Sequence, residues 1–291
     1  MRLPDVLLEC VTFLCVEKPP HDGSSYRYVG TAFFVSVPSS NVPNASYFYL
    51  VTAKHCIENA KSEGPLSVRV NTKEGKAQII RLDPDWLYAE DERTDVAVLP
   101  LMPPMDHCSY KALSVSVFAT QEFIEQKGVG IGDDLAVIGL FTMREGTQRN
   151  QPIARTGIIA SMADERLQDH KSGEWYRAYL AEVRPIGGLS GSPVFVFLWP
   201  GRVYKNTLDL IGCSFGLLGM IRGHWDYKRF ESLVDYTDEE LRDVNMGIAI
   251  VTPAEDILGV INGEELVKQR RQSDKRILSQ RAPTEDSAFS I

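Results

Sequence analysis

The chain has 291 residues, 44% of them hydrophobic and 24% charged, and a formal net charge of −8 at pH 7. That profile belongs to a globular protein with enough apolar residues for a sizeable core. No Lys/Arg stripe interleaved with aromatics is present, which argues against a nucleic-acid partner, and no apolar run is long enough to span a bilayer.

Leu7 to Val16 is β-rich and reads as the first strand. Glu9 within it, and the lack of a basic leader or a small-residue cleavage site, argue against a signal peptide. Tyr26 to Val37 and Ser46 to Ala53 follow as β-branched and aromatic runs, separated by a Pro/Ser/Asn loop from Pro38 to Ala45. Ser67 to Asn71, Ala77 to Asp83 and Val96 to Leu101 complete a set of six strands over about 100 residues, the pattern of a sandwich or barrel. The Pro103–Pro104 stretch up to Lys127 reads as a crossover, with a short helix around Gln121 to Gln126.

A second set of six then begins: Leu135 to Phe141, Ala154 to Met162, Trp175 to Arg184, Val194 to Trp199, Leu208 to Leu217 and Met246 to Val251. Thr237 to Val244 has a capping-box pattern with Glu240. Thr252 and Pro253 open a helix to about Asn262. The expected organisation is therefore a β-barrel over 1–115, a second β-barrel over 116–262, and a charged, partly disordered tail over 263–291.

Cysteine arithmetic adds a compartment. Cys10, Cys15, Cys56, Cys108 and Cys213 are odd in number, irregular in spacing and without zinc-ligand spacing. A reduced, cytoplasmic setting is expected, with the thiols acting as small buried hydrophobes and with no metal or other cofactor implied.

The chemistry centres on Gly187 to Pro193, GGLSGSP. Ser190 among glycines and a proline cannot lie in a helix or strand interior. A tight turn of this kind exposes a hydroxyl and aims consecutive N–H groups at one point, as a serine nucleophile with an oxyanion hole requires. A plain Gly/Ser hairpin turn is the bland alternative. Of the five histidines only His55 follows directly on an apolar strand, in YLVTAKHC from Tyr49 to Cys56. His21, His107, His170 and His224 lie in polar loops. Asp95 opens the apolar strand DVAVLPL after a charged loop, where a carboxylate is placed to orient a histidine. The order His55, Asp95, Ser190, with the first two in the first β unit and the serine in the second, is that of the chymotrypsin-type triad.

With those residues in place, the chain resembles a trypsin-like, chymotrypsin-fold serine peptidase, in particular the intracellular, disulfide-free bacterial members. The segments that carry the likeness are GTAFFVS (Gly30 to Ser36), VTAKHC (Val51 to Cys56), DVAVL (Asp95 to Leu99), GDDLAVIG (Gly132 to Gly139), RTGIIAS (Arg155 to Ser161), GGLSGSPVF (Gly187 to Phe195), SFG (Ser214 to Gly216) and MGIAIVTPAEDIL (Met246 to Leu258). The resemblance implies an all-β fold of two six-stranded antiparallel β-barrels with a C-terminal helix and the triad between them. It makes Ser190 the nucleophile, His55 the general base and then acid, and Asp95 the residue that holds the histidine tautomer. It also implies an oxyanion hole from the Gly188 and Ser190 N–H groups, and a Ser214–Phe215–Gly216 edge that pairs with an extended peptide or protein substrate.

Some features depart from the family pattern. Leu189 stands where secreted members carry the aspartate of zymogen activation, so that route is absent. The insert Leu217 to Asn245 is long and either covers the substrate groove or merely decorates the surface. Arg184, six residues before Ser190, falls where members line the primary specificity pocket, which implies substrates with Asp or Glu before the scissile bond. Leu217 and Leu218 offer a rival apolar pocket. The leading expectation is a serine endopeptidase; the alternatives are a catalytically silent pseudo-peptidase that binds a peptide or protein, and an esterase.

Overall fold

The computed structural model describes residues 2–21, 24–141, 144–168, 173–183, 188–204, 207–209, 214–226 and 245–281. The chain begins with a short helix, α1 (Asp5–Glu9), where a strand is expected from the sequence. Pro4 precedes its first turn, Asp5 stands near its N-terminal N–H groups, and its one buried side chain is Leu7. Strand β1 (Val11–His21) follows, then β2 (Ser24–Pro38), β3 (Ser46–Thr52), helix α2 (Lys54–Ala60), β4 (Leu66–Asn71), β5 (Ala77–Arg81), β6 (Leu87–Tyr88), β7 (Ala97–Pro100) and β8 (Leu113–Ser114). These eight strands form one sheet in the order β5-β4-β1-β2-β3-β7-β6, with β8 parallel to β2.

The first unit is therefore not the closed six-stranded barrel expected from the resemblance. Its terminal strands β5 and β6 are short. The link between them carries Pro84, which has no N–H to donate to a ladder, and no pairing joins them among the described residues.

The second unit closes. After helix α3 (Gln121–Lys127), capped by the Thr120 hydroxyl on the Phe123 N–H and ended by Gly128 in the left-handed region, come β9 (Asp134–Gly139), β10 (Ile153–Ser161), the hairpin β11 (Arg166–Gln168) and β12 (Trp175–Arg177), β13 (Tyr179–Glu182), β14 (Pro193–Leu198), the small pair β15 (Arg202–Tyr204) and β16 (Thr207–Asp209), β17 (Ser214–Asp226) and β18 (Asn245–Pro253). Six of them form a closed barrel, β10-β13-β18-β17-β14-β9. The single strand expected from Trp175 to Arg184 is two, β12 and β13. The insert expected from Leu217 starts later, because β17 runs unbroken to Asp226. Residues 227–244, with the capping-box segment, lie outside the described residues.

The apolar runs of β9 and β14 are explained by burial on both faces. Leu135, Val137, Val194 and Val196 point into the barrel, while Ala136, Ile138, Phe195 and Phe197 join the core of the first unit. This two-sided packing fixes the two units against each other.

Helix α4 (Ala254–Ile261) also enters the shared core, through Ala254, Ile257 and Ile261. Helix α5 (Glu264–Arg281) takes up the first part of the charged tail expected over 263–291, and residues 282–291 lie outside the described residues. Leu266 anchors it, and Asp274, nearly inaccessible, accepts hydrogen bonds from Ser39 Oγ (2.7 Å), Asn41 Nδ2 (2.8 Å) and the Tyr47 hydroxyl. Arg270 reaches the Tyr49 hydroxyl at 2.9 Å. The periodic apolar stripe that marks an amphipathic helix is weak in EELVKQRRQSDKRILSQR, which is why the sequence reads as a solvated tail.

Candidate active site

The site begins with a register. Strands β3 and β7 pair antiparallel with Thr52 opposite Ala97. The residues just after Thr52 and just before Ala97 must therefore meet at the end of the ladder. The former start α2 and include His55; the latter are Val96 and Asp95. Buried Cys56 and Ile57 pin α2 to the core, and buried Val96 to Leu99 pin β7.

His55 and Asp95 are joined at two points. Asp95 Oδ1 accepts the His55 backbone N–H at 2.9 Å, and Asp95 Oδ2 lies 2.7 Å from His55 Nδ1. Asp95 is only 7% exposed, and His55 is half-buried, its second ring nitrogen turned away from the carboxylate. Burial is the largest influence on Asp95 and acts to raise its pKa. The His55 bonds and the Arg222 charge outweigh it and hold the carboxyl below its ordinary value. Burial is again the largest influence on His55 and acts to lower its pKa. The Asp95 hydrogen bond, the Cys56 sulfur and the Asp95 charge together push it up to about 10.

The Ser190 turn stands opposite, on the barrel. Gly191 has φ +82°, and a Cβ there would collide with the Thr31 carbonyl oxygen. Its N–H donates to the Ile221 carbonyl, the Ile221 N–H to the Ser192 carbonyl and the Ser192 N–H to the Leu189 carbonyl, each at 2.9 Å. Leu189 is buried in the barrel interior. From the first unit, Thr31 clasps the same turn: its N–H donates to the Ser190 carbonyl (2.9 Å) and its hydroxyl to the Gly188 carbonyl (2.8 Å). Among the described residues, the Gly188 and Ser190 N–H groups have no protein acceptor.

Gly30 marks where the two halves meet. A Cβ on it would lie 2.7 Å from Cys56 Sγ and 3.2 Å from the Ser190 carbonyl oxygen. Ser190 Oγ and His55 make no hydrogen bond; the polar neighbour of His55 Nε2 is Cys56 Sγ at 3.7 Å. Cys10, Cys15, Cys56 and Cys108 are free and buried, burial raising the thiol pKa of Cys10, Cys15 and Cys108; Cys213 lies outside the described residues.

Other expected site residues are placed elsewhere. Ser214, Phe215 and Gly216 pair with Leu198, Phe197 and Val196 at the end of β14 far from Ser190. Phe215 packs on Phe195 and Phe197, and Gly216 faces Phe123 and Ala119. They form no edge at the site, because Pro193, directly after the turn, pairs with Met220. The residues that follow, Ile221, Arg222 and Gly223, take that place. Beyond Ile221, β17 pairs with β18 on one side and, among the described residues, with no strand on the other. Leu217 and Leu218 are fully buried and line no open pocket. Arg184 lies outside the described residues.

A cavity of about 650 Å³ opens by Val183, where the chain leaves β13 toward the turn, lined also by Arg155, Gly157, Glu182 and Gly247.

Thr31 and Arg222 are the residues that sequence reading misses. Thr31 has no signal in an ordinary strand. Arg222 has one: a charge set inside the otherwise apolar run Phe215 to Gly223. Among the described residues no cluster of His, Cys, Asp and Glu is placed to hold a metal, and no helix is long and apolar enough to cross a membrane.

No curated protein matches the chain. Among solved structures, it is similar to the Rv3671c protease from M. tuberculosis in its active form, with 17% identity over 88% of this chain and 81% of that one and a TM-score of 0.46. It is also similar to the MamO protease domain from Magnetospirillum magneticum, with 14% identity over 87% and 96% and a TM-score of 0.46. Residues 30–197 match the model of the trypsin-like peptidase domain, a span that holds His55, Asp95 and Ser190 and more than half of the chain. The chain belongs to the trypsin-like peptidase family.

Proposed function

We propose that the protein is a serine endopeptidase that cleaves extended peptide or protein substrates through an acyl-enzyme. Ser190 Oγ bonds to the scissile carbonyl carbon as its proton passes to His55 Nε2. The carbonyl oxygen, now anionic, turns to the Gly188 and Ser190 N–H groups, which have no protein acceptor among the described residues. Collapse expels the amine, which leaves with the proton from His55. Water then attacks the ester with the same base and releases the acid. Asp95 holds Nδ1 protonated so that Nε2 is the working nitrogen. The substrate backbone lies along the edge of β17 past Ile221.

The observation that carries this reading is the two-point hold of Asp95 on His55. A merely packed histidine has no need of it. The test is reaction with a fluorophosphonate followed by peptide mapping. Label on Ser190, absent in Ser190→Ala with the fold retained, supports the reading; an unlabelled, folded wild type overturns it.

One observation favours a second reading, a silent peptidase fold that binds peptide without cutting it. Ser190 Oγ does not bond to His55, and Nε2 lies beside a thiol instead. Catalytic hydrogen bonds often close only with substrate present. Peptide binding by an unlabelled wild type is the result that would select this second reading.

A further inference from the structure

The candidate site is split between two bodies. His55 and Asp95 belong to the open sheet and Ser190 to the closed barrel. Chemistry between them needs sub-ångström alignment, so something must tie the Asp95 loop to the nucleophile turn.

Strand β17 does this with two consecutive residues. Ile221 clamps the turn through its backbone, accepting from the Gly191 N–H and donating to the Ser192 carbonyl. Arg222, next in sequence, sends its side chain the other way. Its Nη1 donates at 2.9 Å to the carbonyl of Arg93, two residues before Asp95. Its guanidinium lies 4.0 Å from the centre of the Tyr176 ring on β12, a cation–π stack that holds the planar group in place. We propose that Arg222 is a positioning residue that locks the His55–Asp95 half of the site to the Ser190 half.

The inference rests on the assignment of Ser190, His55 and Asp95 made above. The charge of Arg222 also has a sign. A cation near Asp95 favours its ionised form and disfavours an imidazolium beside it. Among the described residues, the other charged and titratable groups around the pair come from three elements. On α2, the Cys56 thiol lies at Nε2, and Lys54 is turned to the Glu92 carbonyl and to Glu58. On the loop before β7, Arg93 is paired with Asp91. On the β11–β12 hairpin stands Tyr176, with Glu174 acting on Arg93. None of them donates to the Arg93 carbonyl as Arg222 does.

The experiment compares the wild type with Arg222→Met, which keeps length and loses charge, and Arg222→Lys, which keeps charge and loses the planar fork. Arg222→Gln is a second neutral variant should the methionine variant not fold. Two readouts are taken: the rate of fluorophosphonate labelling, and the NMR titration midpoint of the His55 imidazole, assigned by its loss in His55→Gln. In the neutral variants the labelling rate is expected to fall about a hundredfold and the midpoint to move to higher pH. The lysine variant keeps the wild-type midpoint and recovers only part of the rate. An unchanged midpoint in both neutral variants overturns the proposal, whether or not the protein labels. A shifted midpoint in a protein whose wild type never labels upholds the tie between the two halves and overturns the peptidase reading alone.

Discussion

His55 and Asp95 are held together through one carboxylate, whereas the Ser190 turn is held mainly by backbone bonds. The first arrangement rests on two hydrogen bonds to one carboxylate and therefore titrates. The second rests on a glycine with φ +82° and a chain of N–H to carbonyl bonds through Thr31, Ile221 and Leu189, and nothing in it titrates. The sheet that carries the pair is open and the barrel that carries the turn is closed. The His55–Asp95 half should accordingly answer to pH and to single polar substitutions, and the Ser190 half to changes of shape.

The largest effect should come from the titrating half. Asp95→Asn removes the acceptor that fixes the tautomer, and labelling of Ser190 is expected to drop by about ten-thousandfold while the fold survives. In the wild type, labelling needs neutral His55, so its rate should climb with pH through the alkaline range toward the raised value of about 10. In Asp95→Asn the half-maximal point moves to lower pH. Stability runs oppositely. The raised His55 contributes fully below its ordinary value of 6.5 and loses that contribution as pH rises toward about 10. The lowered Asp95 contributes above its ordinary value of 3.8 and loses that as pH falls through its folded value. Denaturant titrations of wild type and Asp95→Asn should differ most between those two ordinary values. Equal differences at all pH values would mean that the pair does not titrate as a unit.

Next in size is the shape-held half. Gly191→Ala puts a Cβ into the Thr31 carbonyl at a backbone conformation that alanine avoids, and should cost about 3 kcal/mol or more in urea unfolding, with no dependence on pH between 5 and 9 (roughly the range in which backbone bonds are blind to protons). A pH-dependent loss would erase the contrast between the halves.

A smaller, stabilising change sharpens it. A Cβ on Gly30 would lie 3.4 Å from Cys56 Cβ, near the ~3.8 Å separation of disulfides. Gly30→Cys should therefore bond to Cys56 under oxidising conditions and raise stability by about 2 kcal/mol, an increase that reductant removes. Peptide mapping without reductant checks it; a free thiol pair in the folded protein would show that the gap is misjudged.

The smallest effect lies farthest from the site. Asp274→Asn weakens three contacts of α5 with the loop before β3 and with Tyr47 on that strand. Amides of α5 should exchange faster while those of β9 and β14 are unmoved.

Most of the barrel strands, and the places of His55, Asp95 and Ser190 beside strand ends and in a glycine turn, were legible in the sequence for definite reasons. β9 and β14 announce themselves as continuous apolar runs because both faces are buried. His55 and Asp95 stand at the ends of two paired apolar strands, and Ser190 stands in a turn that only glycine permits. What was not legible depends on register, which the sequence does not state. SFG was read as the substrate edge, but pairing counted from Pro193 puts it seven residues too early in β17. The open first sheet was read as a barrel because closure depends on whether its short end strands, β5 and β6, pair with each other. The charged segment of helix α5 did not show where it docks, because its docking uses a carboxylate and an arginine in place of an apolar stripe. Arg222 was passed over because its meaning comes from Arg93, which is close in space only.

The seating of α5 has a consequence for the birth of the molecule. Asp274 lies 227 residues after Tyr47, the side chain it binds. On a ribosome the chain appears from its N-terminus at about 5–20 residues per second, so the loop and strand that receive α5 wait for their cover until nearly the whole described chain has emerged. All six barrel strands are synthesised before that cover arrives. The Ser190 turn can thus be shaped, and the barrel closed, while the sheet that carries His55 still lacks its last support.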